Sequence, residues 1–322
     1  MITLVWRTDA HLADEAPASR TDDWMETILG KFRQVGEIAR SVDADAVIDG
    51  GDLTHIKSPI RNSHHMVRRI AEVHADYPCP VYCCIGNHDV KYGDYAYLGE
   101  SPLGVLFETR VFRRLYDQHE ALFEDGPYKV RVVGIPYHGT KYDPNRINTI
   151  TKGKETHLMV VGHLLASAGG GSMFEGEDIL KYSDLANLDP DLWAFGHWHK
   201  DQGVQTVGGK TFINIGSLSR GSLSLDDLTR QPGVAIIRFE GKKMSVEVQR
   251  LQVESAEKVF DLDKRVRAEV RDMTMDAFVD SIKDTLKGRT EDSLFTKLDL
   301  LKNVPPEVHE RAISYLEKVG AR

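Results

Sequence analysis

Five short apolar runs, at residues 2–8, 46–48, 81–85, 158–161 and 192–195, each stop just before a polar residue able to hold a ligand. The residues so placed are Asp9 with His11, Asp52, Asn87, His163, and His197 with His199. The runs read as strands and the residues after them as loops. Between the first three runs the pattern is helical. Met25, Ile28, Leu29, Phe32, Val35, Ile38 and Val42 keep helical spacing over 24–42, and Met66, Val67, Ile70 and Val73 do so over 61–75. Strand, helix, strand, helix implies parallel pairing. In such α/β folds the carboxyl ends of the strands share one edge of the sheet, where ligands bind, so residues nearly two hundred positions apart converge. After His199 the pattern changes to hairpins: 202–207 and 210–215 about Gly208-Gly209, then 234–240 and 244–253 about Gly241. The sheet system is therefore mixed.

A chain of 322 residues with 41% hydrophobic content suffices for one large domain and an appendage. The boundary is expected near Ser255, dividing a catalytic domain at 1–254 from a charged, helical cap or partner-docking region at 255–322. In that second part Ala277, Ile282 and Leu286, then Leu294, Leu298 and Leu301, then Val308, Ala312, Tyr315 and Val319 mark three helices, the last two separated by Pro305-Pro306. Net charge is -8, so no global positive field draws the chain to nucleic acid. Contact with DNA then requires local basic patches or a partner, although bound divalent cations reverse the sign of an acidic pocket. Cys79, Cys83 and Cys84 lack zinc-knuckle or disulfide spacing and are expected in the core, in a reducing compartment. No basic stretch followed by a long apolar one opens the sequence, and no apolar run reaches membrane-spanning length. The expected location is cytoplasmic.

Asp9-Ala10-His11 sets a carboxylate and an imidazole two apart at a strand end, where both can turn toward one ion. Gly50-Gly51 lets the backbone turn sharply, so that Asp52 is presented with little cover and can bridge two cations through its two oxygens. Gly86-Asn87-His88-Asp89 places an amide, an imidazole and a carboxylate in a row, and Gly162-His163 and Gly196-His197-Trp198-His199 repeat the strand, glycine, histidine arrangement. Single histidines in such places are usually structural; five elements in order point to a metal site.

The series Asp9-x-His11, Gly51-Asp52, Gly86-Asn87-His88-Asp89, Gly162-His163, Gly196-His197-x-His199 resembles the calcineurin-type metallophosphoesterase superfamily over positions 9 to 199. The resemblance implies an α/β fold, a sandwich of two mixed β-sheets flanked by helices, with a small helical C-terminal cap. It implies that Asp9, His11, Asp52 and His199 hold one metal and that Asp52, Asn87, His163 and His197 hold the other, Asp52 bridging. Two divalent cations can hold a phosphate oxygen, lower the pKa of a water nucleophile and offset the charge developing during in-line attack. A nitrogen and oxygen donor set without thiolates suits manganese, with iron, zinc and magnesium also open. His88 is the expected proton donor to the leaving oxygen, with Asp89 fixing its tautomer.

Phosphoprotein phosphatases of this superfamily carry an arginine shortly after the second aspartate and a glutamate after Gly-Asn-His, whereas this chain has Asp52-Leu53-Thr54-His55 and Asp89. Asp52-Leu53-x-His55 and Asn214-Ile215-Gly216-Ser217-Leu218 instead resemble SbcD-type DNA repair nucleases, with Ile215 where that family usually has proline. His55 is expected at the rim of the metal site, touching a phosphate beside the scissile one. The resemblance implies DNA as substrate and an SbcC-type ABC ATPase as partner, with a homodimer also open. Lys57, Arg61, His65, Arg68 and Arg69, and a second cluster of Arg110, Arg113 and Arg114, are candidate phosphate contacts. Two other readings stay open: a small-substrate phosphodiesterase or phosphomonoesterase, which shares every ligand without needing His55, and a non-catalytic scaffold. His138 and His157 are expected to be structural, Gly169-Gly170-Gly171-Ser172 a loop rather than a phosphate cradle, and Trp198 to pack beneath its neighbours.

Overall fold

The computed structural model describes residues 1–57, 61–91, 94–169 and 176–264. From the N-terminus the chain runs through strand β1 (Ile2–Arg7), helix α1 (Trp24–Ser41), β2 (Ala46–Asp49), α2 (His64–Ala75), β3 (Val81–Cys83), α3 (Pro102–Glu108) and β4 (Phe112–Arg114). It continues with β5 (Ala121–Asp125), β6 (Tyr128–Ile135), α4 (Pro144–Asn148), β7 (His157–His163), β8 (Ala166–Ser167), β9 (Leu180–Lys181), α5 (Tyr182–Leu185) and β10 (Leu192–Gly196). A hairpin of β11 (Asp201–Val207) and β12 (Lys210–Ile215), then α6 (Leu225–Thr229), a hairpin of β13 (Gly233–Glu240) and β14 (Lys243–Arg250), and α7 (Ala256–Val259) follow.

Two six-stranded sheets result, ordered β14-β13-β1-β2-β3-β4 and β11-β12-β10-β7-β6-β5. In the first, β1 to β4 are parallel and the β13–β14 hairpin joins antiparallel to β1. In the second, β6, β7, β10 and β12 are parallel, with antiparallel β5 and β11 at the margins. Both sheets are mixed and flanked by helices, as expected.

Side-chain alternation accounts for the layering, because successive residues of a strand face opposite ways. On β1, Leu4 and Trp6 join Ile48 of β2 and Met159, Val161, Ala194 and Ile213 of the second sheet in one inner core. Val5, Val47 and Val81 face the other way, onto Ile28, Phe32 and Val35 of α1 and Met66 and Ile70 of α2. On the far side, Val160, Trp193, Phe195 and Phe212 pack with Tyr182 and Leu185 of α5. Each fully buried apolar side chain contributes about 1.5–3 kcal/mol. The apolar strands are thus buried on both faces, which is why their sequences are continuous apolar runs.

Helix α1 is capped by Asp23, whose side chain accepts from the Glu26 amide. Helix α2 begins at His64, not at 61, because Ser63 is its N-cap and accepts from the Met66 amide at 3.0 Å. The apolar run at 81–85 leaves the sheet after Cys83, so that Cys84 and Ile85 are already turning toward the loop that carries Asn87. All three cysteines are unbridged, and Cys83 and Cys84 are buried. The chain divides into two compact units, Met1–Phe260 and Asp261–Arg322. The helices expected from Ala277 to Val319, and the Gly170-Gly171-Ser172 stretch, lie outside the described residues. Among the described residues no helix is long and apolar enough to cross a membrane.

Candidate metal centre

Asp9 follows β1, Asp52 follows β2, Asn87 follows β3, His163 ends β7, and His197 and His199 follow β10. The strand ends of both sheets meet here. Of these six and His11, four have left-handed backbones: Asp9 (φ 54°), His11 (φ 47°), Asp52 (φ 53°) and His197 (φ 81°). Such conformations in residues other than glycine cost on the order of 1–3 kcal/mol each and cluster at functional sites. What holds them is a main-chain ladder between two loops: Asp9 N donates to Gly51 O (3.0 Å), His11 N to Asp52 O (2.9 Å), Leu12 N to Leu53 O (2.9 Å) and His55 N to Leu12 O (2.9 Å). The amide of His197 donates to both oxygens of Asp9 at 3.1 Å, tying the second sheet to the first. Gly86 is required because a Cβ there would fall on Asp52 Oδ1, and Gly196 because one would fall on Thr8 Oγ1.

Asp9, His11, Asp52 and His199 form one group whose candidate ligand atoms lie within 4.8 Å of one another, and Asp52, His163 and His197 form a second. In the first, His11 Nε2 is 2.9 Å from His199 Nε2, 3.8 Å from Asp9 Oδ1 and 3.6 Å from Asp52 Oδ2. In the second, His163 Nε2 is 3.3 Å from Asp52 Oδ2 and 3.2 Å from Asn87 Oδ1. Asp52 belongs to both groups. Donors about 3 Å apart are what nitrogen and oxygen ligands adopt around a common cation at about 2.1 Å, so this donor set fits two divalent ions with Asp52 between them. His163 Nδ1 donates to the carbonyl of Gly50 at 2.9 Å, which leaves Nε2 as the lone-pair nitrogen facing Asp52 and Asn87.

The electrostatics suit cations. Burial opposes ionisation of Asp9, but the hydrogen bond to His199 and the charges of His163 and His199 outweigh it and hold Asp9 well below the usual carboxylate range. Burial likewise opposes ionisation of Asp52, which His163 and His11 pull down. His163, despite burial that works against its charged form, is pushed up to about 10 by Asp52 and Asp9. His11 goes the other way, lowered chiefly by burial.

His88 and His55 sit at the edge of this cluster. Their rings stack, with centroids 5.0 Å apart and planes 14° apart, and His55 Nδ1 lies 3.4 Å from His11 Nδ1. His55 is exposed. The expectation for Asp89 requires correction. His88 Nδ1 contacts the carbonyl of His55 at 2.7 Å, not Asp89. The buried Asp89 carboxylate instead accepts from the amides of Asp52 (2.8 Å), Leu53 (3.0 Å), Thr54 (3.4 Å) and Gly86 (2.8 Å), so it shapes the Asp52 loop rather than tuning His88.

Other residues fall as follows. His138 Nδ1 contacts Pro136 O at 3.0 Å and His157 Nε2 contacts Gly241 O at 2.9 Å, both in structural roles. Trp198 is buried in the outer core of the second sheet. Several candidate phosphate contacts are paired with acids: Arg61 with Glu15 (3.8 Å), Arg68 with Glu72, Arg69 with Glu26 (2.6 Å) and Arg114 with Glu108. Two carboxylates went unnoticed in the sequence. Asp49 is ion-paired with the buried Arg7 at 2.7 Å and accepts from the Gly51 amide at 3.0 Å, setting the turn before Asp52. Glu177 lies 2.9 Å from His197 Nε2, and no strand or glycine pattern marks its position.

Residues 8–201 match the family model described as calcineurin-like phosphoesterase, and the chain belongs to that family. It is a metal-dependent phosphoesterase. Among solved structures, a dimetal phosphatase from Danio rerio is similar, with TM-score 0.50 and 13% identity over 79% of this chain and 97% of that one, which establishes the shared fold. TT1561 of Thermus thermophilus (TM-score 0.46, 13% identity, 77% of this chain and 98% of that one) and an archaeal phosphodiesterase (TM-score 0.38, 16% identity, 77% and 100%) are more loosely similar. No curated protein sequence matches.

Proposed function

We propose that this protein hydrolyses phosphodiester bonds in DNA as an SbcD-type nuclease subunit, with manganese as the working cation. The observation that carries this reading is the stacked pair of His55 and His88 beside the shared Asp52. Hydrolysis of a small phosphate ester needs one imidazole to protonate the leaving oxygen. A second imidazole at the exposed rim suits a substrate whose backbone continues past the reacting phosphate.

Divalent cations bound by the Asp9, His11, Asp52, His199 group and by Asp52, Asn87, His163 and His197 supply Lewis-acid polarisation of the phosphate and a water nucleophile of lowered pKa. The protein's own part is to hold Asp52 between the two groups and to move a proton. His88 Nδ1 donates to the His55 carbonyl, so Nε2 is the nitrogen that faces the substrate, and the doubly protonated ring gives its Nε2 proton to the departing sugar oxygen and is left neutral with Nδ1–H in place. His55, stacked on that ring, contacts the flanking phosphate. An SbcC-type ABC ATPase is the partner that fits a subunit of net charge -8, because such a chain must borrow affinity for DNA.

A second reading, a phosphodiesterase for small substrates, is favoured by the acidic partners of Arg68, Arg69 and Arg114, which mute the basic surface a duplex would need. One assay separates the two. Wild type, His88→Ala and His55→Ala are compared with manganese on defined single- and double-stranded DNA ends and on a chromogenic diester. Loss of His88 is expected to cost about 10²–10⁴-fold on every substrate. Loss of His55 is expected to lower activity on DNA alone, and equal activity of this variant and wild type on DNA overturns the nuclease reading.

A further inference from the structure

We infer that Glu177 is a positioning residue for one half of the cation site, fixing which nitrogen of His197 faces the ion. The inference rests on the reading of the cluster as a cation site, not on DNA as the substrate. Glu177 Oε1 lies 2.9 Å from His197 Nε2, and the two side chains are 6% and 10% exposed, so water competes weakly for this contact. The same oxygen accepts the Tyr142 hydroxyl at 2.9 Å, and that hydroxyl accepts the Leu165 amide at 2.8 Å. A relay therefore runs from the main chain two residues beyond His163, through Tyr142 and Glu177, to the ring of His197.

A neutral imidazole carries one N–H and one lone pair. A carboxylate cannot donate, so the contact with Glu177 puts the proton on Nε2 and the lone pair on Nδ1. His163 is arranged in the opposite sense, with its Nδ1 proton on Gly50 O and its lone pair on Nε2. The two imidazoles of this group thus present different ring nitrogens to it, each selected by an acceptor behind the ring. Carboxylate or carbonyl acceptors in that place orient a ligand histidine and raise its basicity. Glu177 is not itself within the close donor group of Asp52, His163 and His197, as expected of a residue that acts through another. The neighbouring Asp178 locks the segment, accepting from Lys141 Nζ at 2.8 Å and from the Tyr142 amide at 3.0 Å.

The test uses the full chain and manganese alone, with Glu177→Ala, Glu177→Gln and Tyr142→Phe. Calorimetric titration with Mn²⁺ is expected to show one of two binding steps weakened about 10–100-fold in Glu177→Ala, with the other step unchanged. Glu177→Gln keeps an acceptor oxygen and is expected to lose less, and Tyr142→Phe less again. Long-range ¹H–¹⁵N NMR of the metal-free protein, in mildly alkaline buffer, is expected to find His197 as the Nε2–H tautomer in wild type and as a mixture in Glu177→Ala. Two unchanged binding steps with an unchanged tautomer overturn the inference. So does an equal fall of both steps together with a lower melting temperature, which marks a structural anchor. If Gln is as damaging as Ala in binding while the tautomer is unaltered, Glu177 is a direct ligand and the positioning role is wrong. Normal binding of two ions without cleavage of DNA would sink the nuclease reading and leave this one standing.

Discussion

The two halves of the cation cluster are held by overlapping but unequal means. Asp9 and His11 are placed mainly by backbone, through left-handed residues and the ladder between two loops, and the His199 side chain beside them is 44% exposed. The rings of His163 and His197 are held in addition by hydrogen bonds to Gly50 and Glu177, although the His197 backbone is itself left-handed, and the His163 side chain is 0% exposed. Within the first half only His199 reaches solvent, since Asp9 and His11 are buried.

Asp52 is common to both halves, so its replacement tests whether they form one device at all. Asp52→Asn is expected to lower manganese-dependent hydrolysis of a chromogenic diester by at least about 10³-fold, since changes one layer further out already cost about 10–100-fold. Activity within tenfold of wild type would break the shared-carboxylate picture. The asymmetry itself is tested by urea denaturation of the metal-free protein. His163→Ala leaves the buried Asp52 carboxylate without its closest cationic partner and is expected to cost about 3–5 kcal/mol. His199→Ala also takes a partner from the buried Asp9, but His199 lies at the solvent edge where water can replace it, and it is expected to cost less than His163→Ala. Equal losses would erase the distinction.

The smallest effect is on pH dependence. His163 is raised to about 10 from an ordinary 6.5, so its stabilising contribution is fully present below 6.5 and is lost as pH rises through 10. Asp9 and Asp52 are depressed below 3.8, so theirs is present above that value and lost at more acid pH. The urea midpoint of the metal-free protein should therefore fall between about pH 6.5 and about pH 10. Manganese affinity should rise over the same window, because His163 must shed its proton to bind. Parallel slopes would show that the proton on His163 is not linked to the ion.

The candidate cluster was legible because it obeys two local rules at once, an apolar run and then a polar residue, with glycines where a neighbouring side chain packs closely. Gly86 against Asp52 and Gly196 against Thr8 are the physical reason for that pattern. The sheets were legible for a similar reason, since strands buried on both faces leave continuous apolar runs. Asp89 misled because adjacency in sequence suggested contact with His88, whereas the turn after Gly86 carries its carboxylate inward to four amides. The β5–β6 hairpin had no place in the sequence reading, since its polar outer positions and the Asp125-Gly126 turn interrupt the apolar pattern. Glu177 and Asp49 were invisible because their meaning lies in what they touch, which no spacing encodes.

The ladder joining the loops of residues 9–12 and 51–55 uses main-chain atoms alone. No side chain forms a rung, so the separation of Asp9 and Asp52 is set by backbone register, and a single insertion or deletion in either loop would shift every rung together. Changes of length in these two loops should therefore disturb the spacing of Asp9 and Asp52 however well the candidate ligands themselves are kept.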